Sequence, residues 1–197
     1  MENNKEQVPY GHYLERFAGA DPQEMAARTG CQWENGELYV TFLGSRYAVS
    51  HPEGVFRGAS ELPLTTRTFL LRYLLEGKNL TPTGKWLTFR QMPWGEVYAA
   101  PYSGRVLKRA AFSLATRLSA FAEAAQKLGF APVAAGDCGC QAQLLPGYFM
   151  RVLLWEGDEE FPPSAQVLYS DNFAQGFTAE DRVVAADILI SVLQANL

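Results

Sequence analysis

The sequence predicts an α+β fold, a mainly antiparallel sheet with a long central helix and a C-terminal helix packed on it. Strand-like segments come in runs separated by long helical segments, an order that favours antiparallel pairing over alternating βαβ units. Hydrophobic residues make up 48% of the chain and charged residues 19%, which is typical of a packed globule. A length of 197 residues fits one domain, residues 1–197.

Two helices are predicted in the first part of the chain. Residues 10–29 form the first, in two pieces, because Asp21 is a good N-cap, Pro22 suits the first helical position and Gly30 supplies a left-handed end. Residues 64–76 form the second, where apolar side chains recur at helical spacing.

A three-stranded meander is predicted between these helices. Its strands are residues 31–34, 37–43 and 46–50. The pair Asn35-Gly36 favours a tight hairpin turn, because both central residues of such a turn must adopt positive φ. Residues 52–63 are predicted to be a loop.

The loop around residues 77–85 is the best candidate for an internal boundary. It would separate an N-terminal lobe, residues 1–77, from a C-terminal lobe, residues 85–197. Short strands are predicted after it, at residues 86–90 and 97–99.

Residues 105–128 carry the strongest helical pattern in the chain. Apolar side chains step alternately by four and three along one face, at Leu107, Ala111, Leu114, Leu118, Phe121, Ala125 and Leu128. This stripe predicts a helix that packs on the core and ends at Gly129.

Several strands and a closing helix are predicted downstream. The helix covers residues 178–194, with Thr178 as its cap and Asp181 at the favourable third position, and Asp187 is expected to face water. The strands are residues 132–135, 141–145, 148–155 and 166–170.

Charge and composition limit the partners. The net charge of -4 argues against nucleic acid, because phosphate binding requires clustered cations. Residues 1–7 lack the apolar stretch of a secretory signal, and the apolar run at 183–193 is too short to span a bilayer. Three cysteines do not make a disulfide framework. We expect a cytoplasmic protein without membrane contacts.

The first candidate site is Asp137-Cys138-Gly139-Cys140. Two thiols one residue apart suit a soft metal or a redox pair, and Asp137 adds a hard ligand. A structural zinc site needs four ligands, however, and few other donors are available, so a structural role for Cys138 and Cys140 is favoured.

The second candidate is the acidic tip, residues 156–160. Its carboxylates, Asp158 and Glu159 among them, could bind a hard cation or share a raised pKa. The spacing does not match an EF-hand loop, and an exposed acidic hairpin tip is the favoured interpretation.

The third candidate is the predicted start of the long helix. Arg105, Lys108 and Arg109 oppose the helix dipole there, so a compensating anion is expected. That anion is either a bound ligand on free backbone N–H groups or the carboxylates of the acidic tip. Pairing with the acidic tip is favoured, because it requires no ligand.

The fourth candidate, Tyr169-Ser170-Asp171-Asn172, follows a predicted strand. Strand ends often present polar side chains to a pocket, although Asp-Asn is equally a turn signal. No nucleophile elbow, P-loop or dinucleotide fingerprint is present, and two histidines offer little catalytic material.

Five segments resemble the family catalogued as domain of unknown function 3786, and the most distinctive is Asp158-Glu159-Glu160-Phe161-Pro162. The resemblance implies a shared fold but supplies no catalytic residues. Relatives with an additional iron–sulfur-type cysteine module exist, but three cysteines do not provide one here. The segments are residues 86–90, 136–137 with 145–146, 155–162, 168–171 and 178–181.

Two main functions remain open from the sequence, and the cofactor is unknown. The favoured one is a small-molecule or cofactor-binding accessory protein, with a pocket between the sheet and the long helix. Its predicted ligand-binding residues, for a small or anionic ligand, are Asp137, Trp155, Tyr169, Asp171, Arg105 and Arg109. The alternative is a carboxylate- or metal-dependent hydrolase or transferase. A protein-interaction module or homodimer is the third interpretation.

Overall fold

The computed structural model describes residues 4–197. The chain forms two compact units, Met1–Leu80 and Thr81–Leu197. Each unit combines helices with an antiparallel sheet, which confirms the α+β prediction. That the whole chain behaves as one domain stays a prediction.

The helices of the first unit include those predicted, but the first begins at Asn4 and not at residue 10. They are α1 Asn4–Ala18, α2 Pro22–Thr29 and α3 Leu64–Glu76. The Asp21 carboxylate accepts a hydrogen bond from the Gln23 N–H at 2.8 Å, and Gly30 ends α2 with φ 73°.

The sheet of the first unit has one strand more than predicted. Its strands are β1 Gln32–Glu34, β2 Glu37–Phe42, β3 Ser45–Ser50 and β4 Phe56–Gly58, paired antiparallel in that order. Asn35 and Gly36 have φ of 52° and 78°, as the tight turn requires. The strand β4 lies inside the predicted loop, and it exists because β3 offers a free edge for it to pair with.

The second unit contains a five-stranded antiparallel sheet in the order β5-β9-β8-β7-β6. Its central strand, β8, has the predicted bounds, and its even-numbered side chains from 148 to 154 are buried. The strands are β5 Trp86–Thr88, β6 Ala131–Pro132, β7 Cys138–Leu145, β8 Tyr148–Trp155 and β9 Ser164–Ser170.

The long helix is a helical run that begins earlier than predicted, at Ala99. The strand prediction for residues 97–99 is wrong, because the Tyr102 N–H donates to the Tyr98 carbonyl in a helical turn. The run consists of α4 Ala99–Tyr102, a wide π-turn Ser103–Lys108, α5 Arg109–Leu114, a tight 3₁₀ turn Ala115–Arg117, and α6 Leu118–Lys127.

Two helices close the chain, α7 Phe173–Gly176 and α8 Ala179–Gln194. Thr178 and Asp181 form a reciprocal capping box at the start of α8, as the sequence indicated. This C-terminal helix packs on the helical run, which confirms the predicted arrangement. No helix within residues 4–197 has both the length and the apolar character that a bilayer crossing needs.

Gly136 and Gly104 provide a matched pair for testing backbone constraint. A Cβ at Gly136, which has φ 70°, would lie 2.6 Å from the Leu154 carbonyl oxygen, whereas a Cβ at Gly104 meets nothing within 4 Å. We expect Gly136→Ala to destabilise the protein by about 1–3 kcal/mol. Gly104→Ala should stabilise it by about 0.5–1 kcal/mol, since alanine favours the helix. Urea unfolding measures both changes, and equal effects would contradict the backbone geometry.

Candidate functional site

A cleft lies in the second unit between the edge of the sheet and the helical run, and it is called the edge cleft below. Its volume is about 280 Å³. Its lining comes from the end of β5, from β9 and from the first part of the helical run. The residues are Thr88, Phe89, Arg90, Ala99, Tyr102, Ser103, Leu107, Gln166 and Val167.

The edge cleft exists because β5 ends after three residues. At Thr88 the chain enters a 3₁₀ turn, Phe89–Gln91, and the Thr88 N–H and hydroxyl both donate to the Gln91 side-chain oxygen, at 2.8 and 3.1 Å. This capping interaction turns the chain away from β9. The π-turn then places Ser103 and Leu107 on the opposite wall.

A stacked aromatic pair forms one wall of the edge cleft. The rings of Phe89 and Tyr102 are parallel to within 7°, with centroids 4.1 Å apart. The Tyr169 hydroxyl donates to the Arg182 carbonyl at 3.0 Å, so its oxygen accepts the hydrogen of the Tyr102 hydroxyl, also at 3.0 Å. Burial raises the pKa of both tyrosines, and both are therefore neutral at physiological pH.

Arg182 is buried behind this wall, with 1% of its surface exposed. Its guanidinium donates to the Pro93 carbonyl at 2.6 Å and to the Thr178 carbonyl at 3.0 Å, and it lies 5.8 Å from the centre of the Phe89 ring. Desolvation lowers the pKa of Arg182. Because these contacts join α8 to the residues around Phe89, they hold the aromatic wall in place.

Exposed apolar side chains occupy the rim segment, residues 92–98, which connects two lining residues of the edge cleft, Arg90 and Ala99. Trp94, Val97 and Tyr98 are 71%, 69% and 49% exposed. Trp94 has φ 64°, a left-handed conformation that is rare for a bulky side chain. Exposed aromatic groups and a strained backbone together are typical of a recognition surface.

The polar residues that line the edge cleft are Thr88, Arg90, Tyr102, Ser103 and Gln166. No carboxylate, imidazole or thiol belongs to its nine lining residues, all of which lie in the described part of the chain. The Arg90 guanidinium pairs with the carboxylate of Glu96, outside the lining, at 3.3 Å.

The structure gives the acidic residues of the sequence analysis backbone partners. The Asp137 carboxylate accepts from the Glu156 N–H at 2.8 Å, next to the half-buried Trp155. The Asp158 carboxylate accepts from the N–H groups of Glu160 and Phe161, at 2.8 and 2.7 Å, and so closes the loop of the acidic tip.

The metal interpretation requires donors that converge, and the structure does not bring them together. Within residues 4–197, no group of three or more His, Cys, Asp or Glu side chains could hold a metal ion. Cys138, Cys140, Asp158 and Glu159 therefore do not form such a group.

Cys138 and Cys140 are free thiols on one face of β7. Cys140 is buried, and desolvation raises its pKa to about 12. Desolvation also raises the pKa of Cys138. A reactive cysteine needs a lowered pKa, so both thiols have the environment of structural residues.

Arg105 and Arg109 of the helical run pair with Asp187, not with the acidic tip. Asp187 carboxylate oxygens lie 2.8 Å from Arg105 and 3.1 Å from Arg109, and Arg109 also donates to the Asp187 carbonyl at 2.8 Å. The Asp187 side chain is only 17% exposed, so the expectation that it faces water is wrong. These cations also lie within the run and not in its first turn, because the run begins at Ala99.

Tyr169 and Asp171 occupy different environments. Tyr169 is fully buried beneath Tyr102. The Asp171 carboxylate accepts from the Thr83 N–H at 2.9 Å and from the Thr83 hydroxyl at 2.5 Å, and this hydrogen bond from the hydroxyl lowers the pKa of Asp171. These hydrogen bonds connect the segment before β5 to the end of β9.

None of the six predicted ligand-binding residues belongs to the lining of the edge cleft. Tyr169 contacts the lining through its hydrogen bond to Tyr102. A role in binding for all six, Asp137, Trp155, Tyr169, Asp171, Arg105 and Arg109, stays a prediction. The sequence did contain one signal for the cleft. Three of its lining residues, Thr88, Phe89 and Arg90, belong to the first segment that resembles the family.

Fold and site define an α+β protein whose second unit carries an apolar cleft at the edge of an antiparallel sheet. The chain matches the family described as Domain of unknown function (DUF3786) over residues 21–192, and it belongs to that family. This match confirms the resemblance read from the five segments. No curated protein and no solved structure matches the chain.

Cysteine labelling tests the structural role of the two thiols. At pH 7 we expect N-ethylmaleimide to leave Cys140 unmodified in the folded protein and to modify Cys138 more slowly than a free cysteine, because only the thiolate reacts. The labelling rate should rise only at alkaline pH, since the raised pKa values delay thiolate formation. Mass spectrometry locates the label, and the urea-unfolded chain, in which all three thiols should react, is the control. Rapid labelling of Cys140 at pH 7 would contradict this assignment.

Asp187→Ala tests the ion-pair assignment. The substitution removes the partner of a half-buried Arg109, and we expect the free energy of unfolding to fall by about 1–2 kcal/mol. Glu96→Ala is the matched control, because Glu96 pairs with Arg90 at 3.3 Å and both side chains are well exposed. The control should change stability by less than about 0.5 kcal/mol in the same urea titration. Equal effects of the two variants would show that Asp187 is only a surface charge.

Proposed function

We propose that this protein is a binding module whose edge cleft accommodates a small molecule or cofactor. One observation carries the proposal: the cleft is largely apolar, its aromatic wall is held by a buried hydrogen-bond network, and its lining offers no acid–base pair. Preformed apolar pockets with a few fixed polar groups are the usual form of ligand sites.

The lining indicates the chemistry of the ligand. A flat apolar body fits against the Phe89–Tyr102 wall, and a hydrogen-bond accepting group fits near Ser103. An anionic group near Arg90 would replace the Glu96 carboxylate, which pairs with Arg90 at 3.3 Å. The volume of about 280 Å³ is near the lower end of small-molecule pockets. A small ligand with one acidic group therefore suits the cleft best.

An interaction function has support of its own. The rim segment exposes Trp94, Val97 and Tyr98 beside the cleft, and aromatic residues are enriched in protein interfaces.

We further propose that the protein acts in the cytosol. Its three cysteines are free, and a reducing compartment would keep them so.

Binding of 8-anilinonaphthalene-1-sulfonate, a flat apolar anion, tests the cleft. We expect saturable binding by isothermal titration calorimetry. Ser103→Trp should fill the cleft and weaken binding at least tenfold, roughly 1.4 kcal/mol. Ser119→Trp is the matched control on the exposed side of α6 and should bind like the parent protein.

Arg90→Gln tests whether the charge of the expected ligand contributes to binding separately from its apolar body. Loss of the guanidinium should weaken binding of the sulfonate severalfold and leave binding of the uncharged N-phenyl-1-naphthylamine unchanged. If Ser103→Trp and Ser119→Trp bind the anionic probe equally well, the edge cleft is not its site and the proposed function is wrong.

A further inference from the structure

Phe161 is an exposed aromatic side chain on the loop between β8 and β9. It is 67% exposed and directly follows the acidic tip, whose last two residues, Glu159 and Glu160, are exposed as well. Burial of such a ring in a complex is favourable, because it removes apolar area from water. Phe161 together with Glu159 and Glu160 is called the knob below.

The loop holds the knob in a fixed direction. The Asp158 carboxylate accepts the N–H groups of Glu160 and Phe161, and the Asp158 N–H donates to the Phe161 carbonyl at 2.8 Å. The base of the loop is tight, since a Cβ at Gly157 would lie 2.6 Å from the Pro163 nitrogen. Because these contacts already order the loop, binding of the knob costs little conformational entropy.

The edge cleft is complementary to the knob in shape and in charge. Its volume of about 280 Å³ exceeds the roughly 150 Å³ of a protein cavity that accommodates benzene. The parallel rings of Phe89 and Tyr102 offer an aromatic wall to a phenyl ring. Arg90 supplies a cation in the lining for the carboxylate of Glu159 or Glu160.

The pairing of Arg90 with Glu96 leaves the cation available. Both side chains are mostly exposed, at 66% and 74%, and exposed ion pairs contribute little to stability. A carboxylate of the knob can therefore take the place of Glu96 at small cost. The structure thus already shows a carboxylate at the position that the knob would use.

The knob and the edge cleft both lie near the beginning of β9, but they do not meet within one chain. The cleft is lined by Gln166 and Val167, and the segment from Phe161 to Gln166 spans at most about 18 Å. The exposure of Phe161 shows that its ring stays outside the cleft of its own chain. A two-fold axis beside β9 would place each knob at the cleft of the other copy.

We propose that two copies of this chain associate by exchanging knobs: Phe161 of each copy enters the edge cleft of the other, and Glu159 or Glu160 pairs with Arg90 there. One chain carries both halves of this interface, which favours a second copy over an unrelated partner. The exposed apolar side chains of the rim segment would surround the inserted ring and exclude water. The inference goes beyond small-molecule binding, since a knob in the cleft competes with any ligand there.

Sedimentation equilibrium measures this association. We expect the parent protein to form dimers and Phe161→Ser to weaken dimerisation at least about tenfold. Phe112→Ser is the matched control, because Phe112 is 62% exposed on α5 and belongs neither to the knob nor to the cleft lining. This control should dimerise like the parent. A parent protein that stays monomeric, or equal effects of the two substitutions, would overturn the inference.

A mixture of two variants distinguishes knob exchange from other contacts. Ser103→Trp blocks the cleft and keeps the knob, whereas Phe161→Ser removes the knob and keeps the cleft. Since one intact knob and one intact cleft remain in the mixture, the two variants should bind each other more tightly than either binds itself. Sedimentation of one fluorescently labelled variant measures this. Absence of mixed dimers would contradict the proposal.

Charge reversal tests the polar part of the interface. Arg90→Glu and the double variant Glu159→Lys/Glu160→Lys should each weaken dimerisation severalfold. Their combination in one chain should recover dimerisation, because opposite charges then meet again across the interface. If the combined variant is as weak as the more weakened of its two components, the carboxylates do not meet Arg90 and the proposed orientation is wrong.

The anionic naphthalene probe separates this inference from the proposed function. If both hold, the probe should shift the parent toward monomers and bind Phe161→Ser more tightly than the parent, because knob and probe share one cleft. Probe binding by a parent that never dimerises overturns the inference and leaves the small-molecule function. Dimerisation that depends on Phe161, with no probe binding by Phe161→Ser, supports the inference and overturns that function.

Discussion

Three layers of the second unit meet at a buried arginine and two tyrosine hydroxyls. Tyr102 lies on the helical run, Tyr169 on the sheet and Arg182 on the C-terminal helix, and the hydroxyls connect them in one chain of hydrogen bonds. Burying a guanidinium is costly unless its donors find partners. Two backbone carbonyls accept from Nε and Nη2, whereas the buried Nη1 has no hydrogen-bond partner among the described residues. Through these bonds Arg182 fixes the loop that turns away from β9. The edge cleft depends on this arrangement.

The edge cleft originates from the early end of β5. Had the strand continued past Thr88, residues after it would have paired with Val167 and Ala165 and covered the cleft. The Thr88–Gln91 interaction replaces that pairing with a turn, and the π-turn of the helical run widens the opposite wall. Wide helical turns of this kind occur frequently at functional sites. A short strand thus leaves a cleft at the edge of an otherwise complete sheet.

The acidic residues singled out in the sequence have partners within the protein. The carboxylates of Asp137, Asp158 and Asp171 accept N–H groups from nearby loops, and Asp187 neutralises two arginines. A loop carboxylate that accepts nearby backbone N–H groups in this way stabilises a turn. Sequence alone cannot separate this use from catalysis, because both favour the same residue types in the same turns.

Local signals determined much of the fold. Asn35-Gly36 specified its turn, Asp21 and Gly30 the ends of α2, Thr178 the start of α8, and the apolar pattern the bounds of α3 and β8. Each of these depends on neighbours a few residues away, so the sequence contains the whole interaction. Tertiary structure decided the rest: β4, the early start of the helical run, the partner of Arg105 and Arg109, and the lining of the edge cleft. Those features join residues far apart in the chain, such as Thr88 and Val167 or Arg109 and Asp187, and their pairing is set by packing that no local pattern encodes.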